Sequence, residues 1–125
     1  EKLDLSNSGI RAKDVKDLVI LLRKATHLKE LDLSGNFIGD HSPSVQVLCD
    51  AIRTSLTITS LKLQDNGFSA ESIVHLSNLL RYHSKILKID LSKNNLGFTG
   101  TEILFQGLKE NYTLENIYLS QNNIL

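Results

Sequence analysis

What the sequence lacks narrows what it can be. It has one cysteine, Cys49, so no disulfide can close within the chain. Lys and Arg number 14 and Asp and Glu number 14, for a formal net charge of zero. A general binder of nucleic acid or of anionic membranes needs an excess of Lys and Arg, so neither is expected as a partner. There is no run of about eighteen apolar residues to cross a membrane, and no signal-peptide pattern opens the chain. Methionine is absent.

Sites for chemistry are missing too. His27, His41, His75 and His83 do not share one position of the repeat described below, so they are not expected to converge on a metal. No Gly-rich phosphate loop occurs. Gly9, Gly35, Gly39, Gly67, Gly97 and Gly100 read as turn residues. No Ser, His and Asp are spaced to meet as a triad. The expectation is no catalytic residue, no cofactor, no metal and no small-molecule substrate.

What is present is a repeat. Leu28 to Ile38 reads L-x-x-L-x-L-x-x-N-x-I, and the pattern returns at Ile58 to Phe68, Ile86 to Leu96 and Leu114 to Ile124. A fifth copy opens the chain at Leu3 to Ile10, with Ser8 where the others carry Asn36, Asn66, Asn94 and Asn122. The second strand leucines are Leu5, Leu33, Leu63, Leu91 and Leu119, in steps of 28, 30, 28 and 28 residues. A fixed period with this pattern signals a leucine-rich-repeat solenoid. Strands are expected near residues 2–6, 30–34, 60–64, 88–92 and 116–120, alternating apolar and polar.

Between the strands the apolar spacing turns helical. Val15, Leu18, Val19 and Leu22 lie on one face, with Ile20 and Leu21 toward the flanks, where they are expected to touch a neighbouring helix. Val45, Leu48, Cys49 and Ile52 form the second stripe, and Ile73, Leu76, Leu79 and Leu80 the third. Ile103, Leu104 and Leu108 form the fourth, with Gly107 where a larger residue would block close packing. The two extra residues of the second unit are placed in Gly39 to Ser44, with Ser42 as N-cap and Pro43 in the first turn. Parallel strands stack about 4.8 Å apart. Helices are roughly 10 Å wide. That mismatch predicts an α/β arc, with the sheet on the concave face and the helices on the convex one.

The repeat, with its amphipathic helix, resembles the ribonuclease-inhibitor type of leucine-rich repeat over all 125 residues. Relatives with this repeat include ribonuclease inhibitor, NOD-like receptors, the Ran GTPase-activating protein, tropomodulin and the CARMIL regulators. The resemblance implies a protein-binding module in the cytoplasm, or in the nucleus. The single cysteine agrees, because extracellular arrays of this kind usually close their ends with disulfides. In such a setting the acceptor pattern Asn111-Tyr112-Thr113 is chance. The alternatives that the resemblance keeps open are a GTPase-activating or enzyme-regulating arm and a sensor or autoinhibitory arm of an NOD-like receptor. About four and a half repeats without polar end caps suggest a piece of a longer array.

The repeated leucines and asparagines are structural. Each buried apolar side chain contributes roughly 1.5–3 kcal/mol. The asparagines, with donors and an acceptor, are expected to satisfy turn backbone left unpaired. The outward strand positions form three rows: Lys2, Glu30, Ser60, Lys88 and Asn116; Asp4, Asp32, Lys62, Asp90 and Tyr118; Ser6, Ser34, Gln64, Ser92 and Ser120. The partner-binding residues expected among them are Glu30, Asp32, Lys62, Gln64, Lys88, Asp90, Asn116 and Tyr118. Lys62 stands between Asp32 and Asp90. That triplet reads equally as a self-satisfied surface ladder or as part of a binding site. Tyr118 is the most suggestive single residue, for its contact area and polar tip. Its competing reading is a tyrosine that packs on a further repeat.

Overall fold

The short apolar alternation of each repeat makes a three-residue strand. In the computed structural model, which describes residues 1–82 and 85–124, the strands are β1 (Lys2–Asp4), β2 (Glu30–Asp32), β3 (Ser60–Lys62), β4 (Lys88–Asp90) and β5 (Asn116–Tyr118). They form one parallel sheet in the order β1-β2-β3-β4-β5. Between them run α1 (Val15–Lys24), α2 (Ser42–Thr54), α3 (Ile73–Tyr82) and α4 (Gly97–Leu108). A 3-10 turn, Ala12–Asp14, leads into α1. The fold is an α/β leucine-rich-repeat solenoid. The register aligns Leu3, Leu31, Leu61, Ile89 and Ile117 across the sheet, with Lys2, Glu30, Ser60, Lys88 and Asn116 in one outward row and Asp4, Asp32, Lys62, Asp90 and Tyr118 in the other.

The strands end two residues earlier than the alternation predicts. β3 and β5, with Lys62 and Tyr118 at the last position, end at the same point as the others, and in the remaining three repeats the strand's aspartate bonds into the turn. Asp4, Asp32 and Asp90 each use Oδ1 to accept the backbone N–H two residues on, from Ser6 and Ser34 at 3.0 Å and from Ser92 at 2.9 Å. These side chains pull the chain into a turn. The next residue then takes a left-handed backbone, as at Asn7, Asp65, Lys93 and Gln121 and at Gly35. Ladder bonds continue past the strands, from Leu5 N–H to the Asp32 carbonyl at 2.8 Å and from Asn7 N–H to that of Ser34 at 2.9 Å, and likewise from Leu33 to Lys62 and from Gly35 to Gln64.

Each turn is fastened to the next by an asparagine. Asn94 Nδ2 donates to the carbonyls of Leu63 and Leu91 at 3.2 and 2.9 Å, while its Oδ1 accepts the N–H groups of Asn66 and Phe68 at 2.9 and 3.1 Å. Asn36 does the same for the preceding turn, donating to Leu5 and Leu33 and accepting from Ser8 and Ile10. Asn66 and Asn122 complete the row. All four are buried. Ser8, which replaces the asparagine in the first turn, reaches only the Ser6 carbonyl within its own turn.

The core lies between sheet and helices. Leu31, Leu33, Ile38, Leu61, Leu63, Phe68, Ile89 and Leu91 are fully buried, and Leu96 nearly so. The four helix stripes face them, although Ile103 and Leu108 at the α4 end are only partly covered. Ile20 and Leu21, expected to touch a neighbouring helix, are largely open to solvent. They are 50% and 44% exposed. The extra length of the second unit lies where expected but is helical in part. It extends α2 to 13 residues, with Pro43 in the first turn. The N-cap is His41 rather than Ser42, whose hydroxyl instead meets Nε2 of His75 on α3 at 2.8 Å.

Two glycines permit close approach. A Cβ at Gly107 would sit 2.3 Å from the Ser77 carbonyl oxygen, so this residue lets α4 lie against α3. Gly100, expected in a turn, is a buried residue of α4 near the Ala70 backbone.

Leu63→Ala removes a fully buried side chain from the middle repeat and is expected to cost about 2–5 kcal/mol in urea unfolding. A loss within about 0.5 kcal/mol would mean that Leu63 is exposed and the repeat register is wrong. Asn94→Ala strips the N–H groups of Asn66 and Phe68 of their partner, whereas the Leu63 and Leu91 carbonyls keep the amides of Asn66 and Asn122. At about 1–3 kcal/mol for each buried group left unmade, the expected loss is about 3 kcal/mol or more, measured in the same way.

Candidate functional site on the concave face

The outward strand residues share one surface, and their charges pair in an order that the register alone does not reveal. Glu30 is the hub. Its Oε2 lies 3.3 Å from Lys2 Nζ and 3.8 Å from Lys62 Nζ, linking β1, β2 and β3. The hydrogen bond and charge of Glu30 raise the pKa of Lys2 above the ordinary lysine value. Asp4 is held below the usual carboxylate range, first by the Ser6 hydroxyl and then by its backbone N–H.

Asp32, Lys62 and Asp90 are side by side, as the spacing predicts, but they do not form the charge ladder that was one reading of them. Asp32 is buried and spends Oδ1 on the N–H and hydroxyl of Ser34, at 3.0 and 2.7 Å. Asp90 spends Oδ1 on Ser92. The short carboxylates serve their own turns, and Lys62 swings diagonally to the longer Glu30.

The remaining expected residues divide into two environments. Gln64 is half-buried. Its Oε1, like the Ser60 hydroxyl on the same repeat, is closed to solvent and finds no hydrogen-bond partner among the described residues. Lys88, Asn116 and Tyr118 are open. Tyr118 is 44% exposed, with the Lys88 ammonium 5.6 Å from its ring centroid. The structure thus brings seven of the eight residues onto one sheet and Gln64 into the turn after β3, with charge pairing on β1–β3 and an aromatic-cation pair on β4–β5.

Sequence reasoning missed a second surface at the loops that follow the helices. Tyr82 and Tyr112, 70% and 93% exposed, border a cavity of about 150 Å³ with Arg81 and Glu110. Arg81 Nε pairs with Glu110 Oε2 at 3.0 Å. These residues lie outside the strand alternation that marked the first surface, so periodicity could not signal them. Asn111 has a structural role there. Its Nδ2 donates to the Leu80 carbonyl at 2.6 Å, and its Oδ1 accepts the N–H groups of Thr113 and Leu114.

The comparisons agree with this geometry. A family model described as "Leucine Rich repeat" matches residues 24–41. Mouse (Mus musculus) ribonuclease inhibitor is 34% identical over 109 residues, 86% of this chain and 24% of that protein. Human (Homo sapiens) "NACHT, LRR and PYD domains-containing protein 3" is 36% identical over 106 residues, 84% of this chain and 10% of that protein. The chain is a leucine-rich-repeat array similar to ribonuclease inhibitor and to the NACHT, LRR and PYD proteins. A solved structure titled "Leiomodin-1 Actin-Binding Site 2 (ABS2)" shares the repeat fold, with a TM-score of 0.79, 23% identity and coverage of 94% of this chain and 69% of that one. This leucine-rich-repeat chain therefore spans a quarter or less of the two curated relatives.

Elsewhere in the array His27 is exposed, whereas two other histidines are hydrogen-bonded and the cysteine is buried. His41 Nδ1 meets Ser44 Oγ at 2.7 Å, and His75 meets Ser42. His83 lies outside the described residues. Among the described residues, no group of three or more His, Cys, Asp or Glu is placed to hold a metal, and no helix is long and apolar enough to cross a membrane. Cys49 is 1% exposed, and burial pushes its thiol pKa up to about 12. The thiolate is the reactive species. Near pH 8 the folded chain should therefore leave a thiol-specific disulfide reagent unreacted, and one equivalent should react after unfolding in urea. Fast reaction of the native chain would show that the α2–α3 seam opens readily.

Proposed function

We propose that this array is a protein-binding module whose partner lies on the concave sheet, against Glu30, Asp32, Lys62, Gln64, Lys88, Asp90, Asn116 and Tyr118. The observation that carries the reading is the in-register parallel sheet, which sets all of these residues but Gln64 side by side on strands fixed from behind by the core. A preformed surface binds without the cost of ordering itself. Mixed charges select a partner by pattern rather than by bulk attraction. The mouse relative, named for inhibiting a ribonuclease, agrees with a module that acts by contact with another protein. The leiomodin likeness contributes the fold and brings no actin with it.

On this reading the array is non-catalytic, works in the cytoplasm or nucleus, and takes no cofactor, nucleic acid, membrane or small-molecule substrate. A second reading, the sensor or autoinhibitory arm of an NOD-like receptor, is favoured by the 36% identity to a protein named for NACHT, LRR and PYD domains. A nucleotide-binding domain elsewhere in the parent protein would support it.

The test is capture from cell lysate by the parent protein, compared with a variant in which Glu30, Lys62, Lys88 and Tyr118 are all alanine. All four side chains are solvent-accessible to some degree, so folding should survive, as circular dichroism would check. A protein retained by the wild type and lost from the variant is the expected result. Retention of every captured protein would move the binding surface to the helices, the loops or other repeats.

A further inference from the structure

The concave face carries three lysines, Lys2, Lys62 and Lys88, and they are not equivalent. Lys2 and Lys62 both lie on Glu30. Lys88 has no carboxylate partner among the described residues. Its neighbour Asp90 turns one oxygen to the Ser92 N–H, and the Lys88 ammonium stays above the Tyr118 ring at 5.6 Å. We propose that the β4–β5 end of this face receives an acidic side chain of the partner, its carboxylate on Lys88 and an adjoining apolar group against Tyr118. This rests on the concave-face reading above and names the chemistry at one end of it.

Three features support the assignment. First, the ring confines the lysine head before a partner arrives. Holding the ammonium over an aromatic face reduces the rotamer freedom that binding must remove. Second, Tyr118 remains 44% exposed, which leaves part of its ring free for contact. Tyrosine is enriched among residues that dominate interfaces. Third, charge is graded along the sheet. The β1–β2 positions hold Asp4, Glu30 and Asp32 against Lys2, whereas the β3–β5 positions hold Lys62 and Lys88 against Asp90. An acidic side chain is therefore disfavoured at the first end and accepted at the last, which sets the partner's orientation along the face. The interaction is an exposed one, so it is weak alone and sensitive to salt.

The experiment titrates the isotope-labelled 125-residue chain with two blocked tetrapeptides, acetyl-Glu-Phe-Glu-Gly-amide and acetyl-Lys-Phe-Lys-Gly-amide, and follows backbone amide shifts by NMR. The acidic peptide should move the amides of Lys88, Ile89, Ile117 and Tyr118, and the basic peptide should not. Lys88→Ala should weaken the acidic peptide about threefold to fivefold, as expected for loss of an exposed ion pair. Tyr118→Ala should also weaken it, while Tyr118→Phe keeps binding because the ring provides the contact. Glu30→Gln frees Lys2 and Lys62, so the shifts should then spread to β3. The unshifted remainder of each spectrum reports whether a variant is folded. The proposal is overturned if both peptides move the same amides, if neither does, or if Lys88→Ala binds the acidic peptide as tightly as before. Such a result together with loss of a captured protein from the fourfold variant would leave the concave-face reading standing and remove only the acid-binding pole.

Discussion

The structure depends on one recurring interaction, the bracket that a buried asparagine makes between successive turns. A chain that turns out of a three-residue strand leaves carbonyls and N–H groups facing the interior, where water cannot serve them. Leaving such groups unpaired costs about 1–3 kcal/mol each. Asn36 and Asn94 each meet two carbonyls with the amide nitrogen and two N–H groups with the amide oxygen. Few side chains have donors and an acceptor in so compact a form. Each bracket joins its own turn to the one before, so neighbouring repeats are tied in register.

The rest of the architecture follows from that register. Strands kept in line build a continuous sheet, and the leucines behind them meet the helix stripes in one core. The helices need room that the strands do not, and close contact is gained only where a side chain is missing. Gly107 against Ser77 is such a place. On the helices, apolar residues such as Leu21 on α1, Val47 on α2 and Phe105 on α4 remain partly exposed.

The front of the sheet has a different logic from the back. Behind it every repeat repeats the same chemistry; in front each repeat differs. Glu30 absorbs two lysines, the aspartates fold into their own turns, and the Lys88–Tyr118 pair is left exposed. A surface of this kind discriminates through position, since only one placement of a partner's charges meets open groups and avoids occupied ones.

The repeat was legible in the sequence because the period is held in five copies, and a fixed period dictates which residues face inward. Leu31, Leu61, Leu63 and Phe68 could be assigned to the core, Asn66 and Asn94 to the ladder, and Glu30, Asp32 and Lys62 to one face from spacing alone. Ion pairing on that face was not legible. Register places backbones, and it says nothing of how far a side chain reaches or what its oxygens already hold. Lys62 chose Glu30 over its immediate neighbours Asp32 and Asp90 for that reason. The N-cap at His41, the exposed Leu21 and the tyrosine-lined cavity between Tyr82 and Tyr112 were likewise decided in three dimensions. The sequence by itself determined the solenoid, its register and the residues presented, through periodic burial. Only the tertiary structure decided which presented charges are already spent, because that depends on side-chain length and local hydrogen bonds rather than on period.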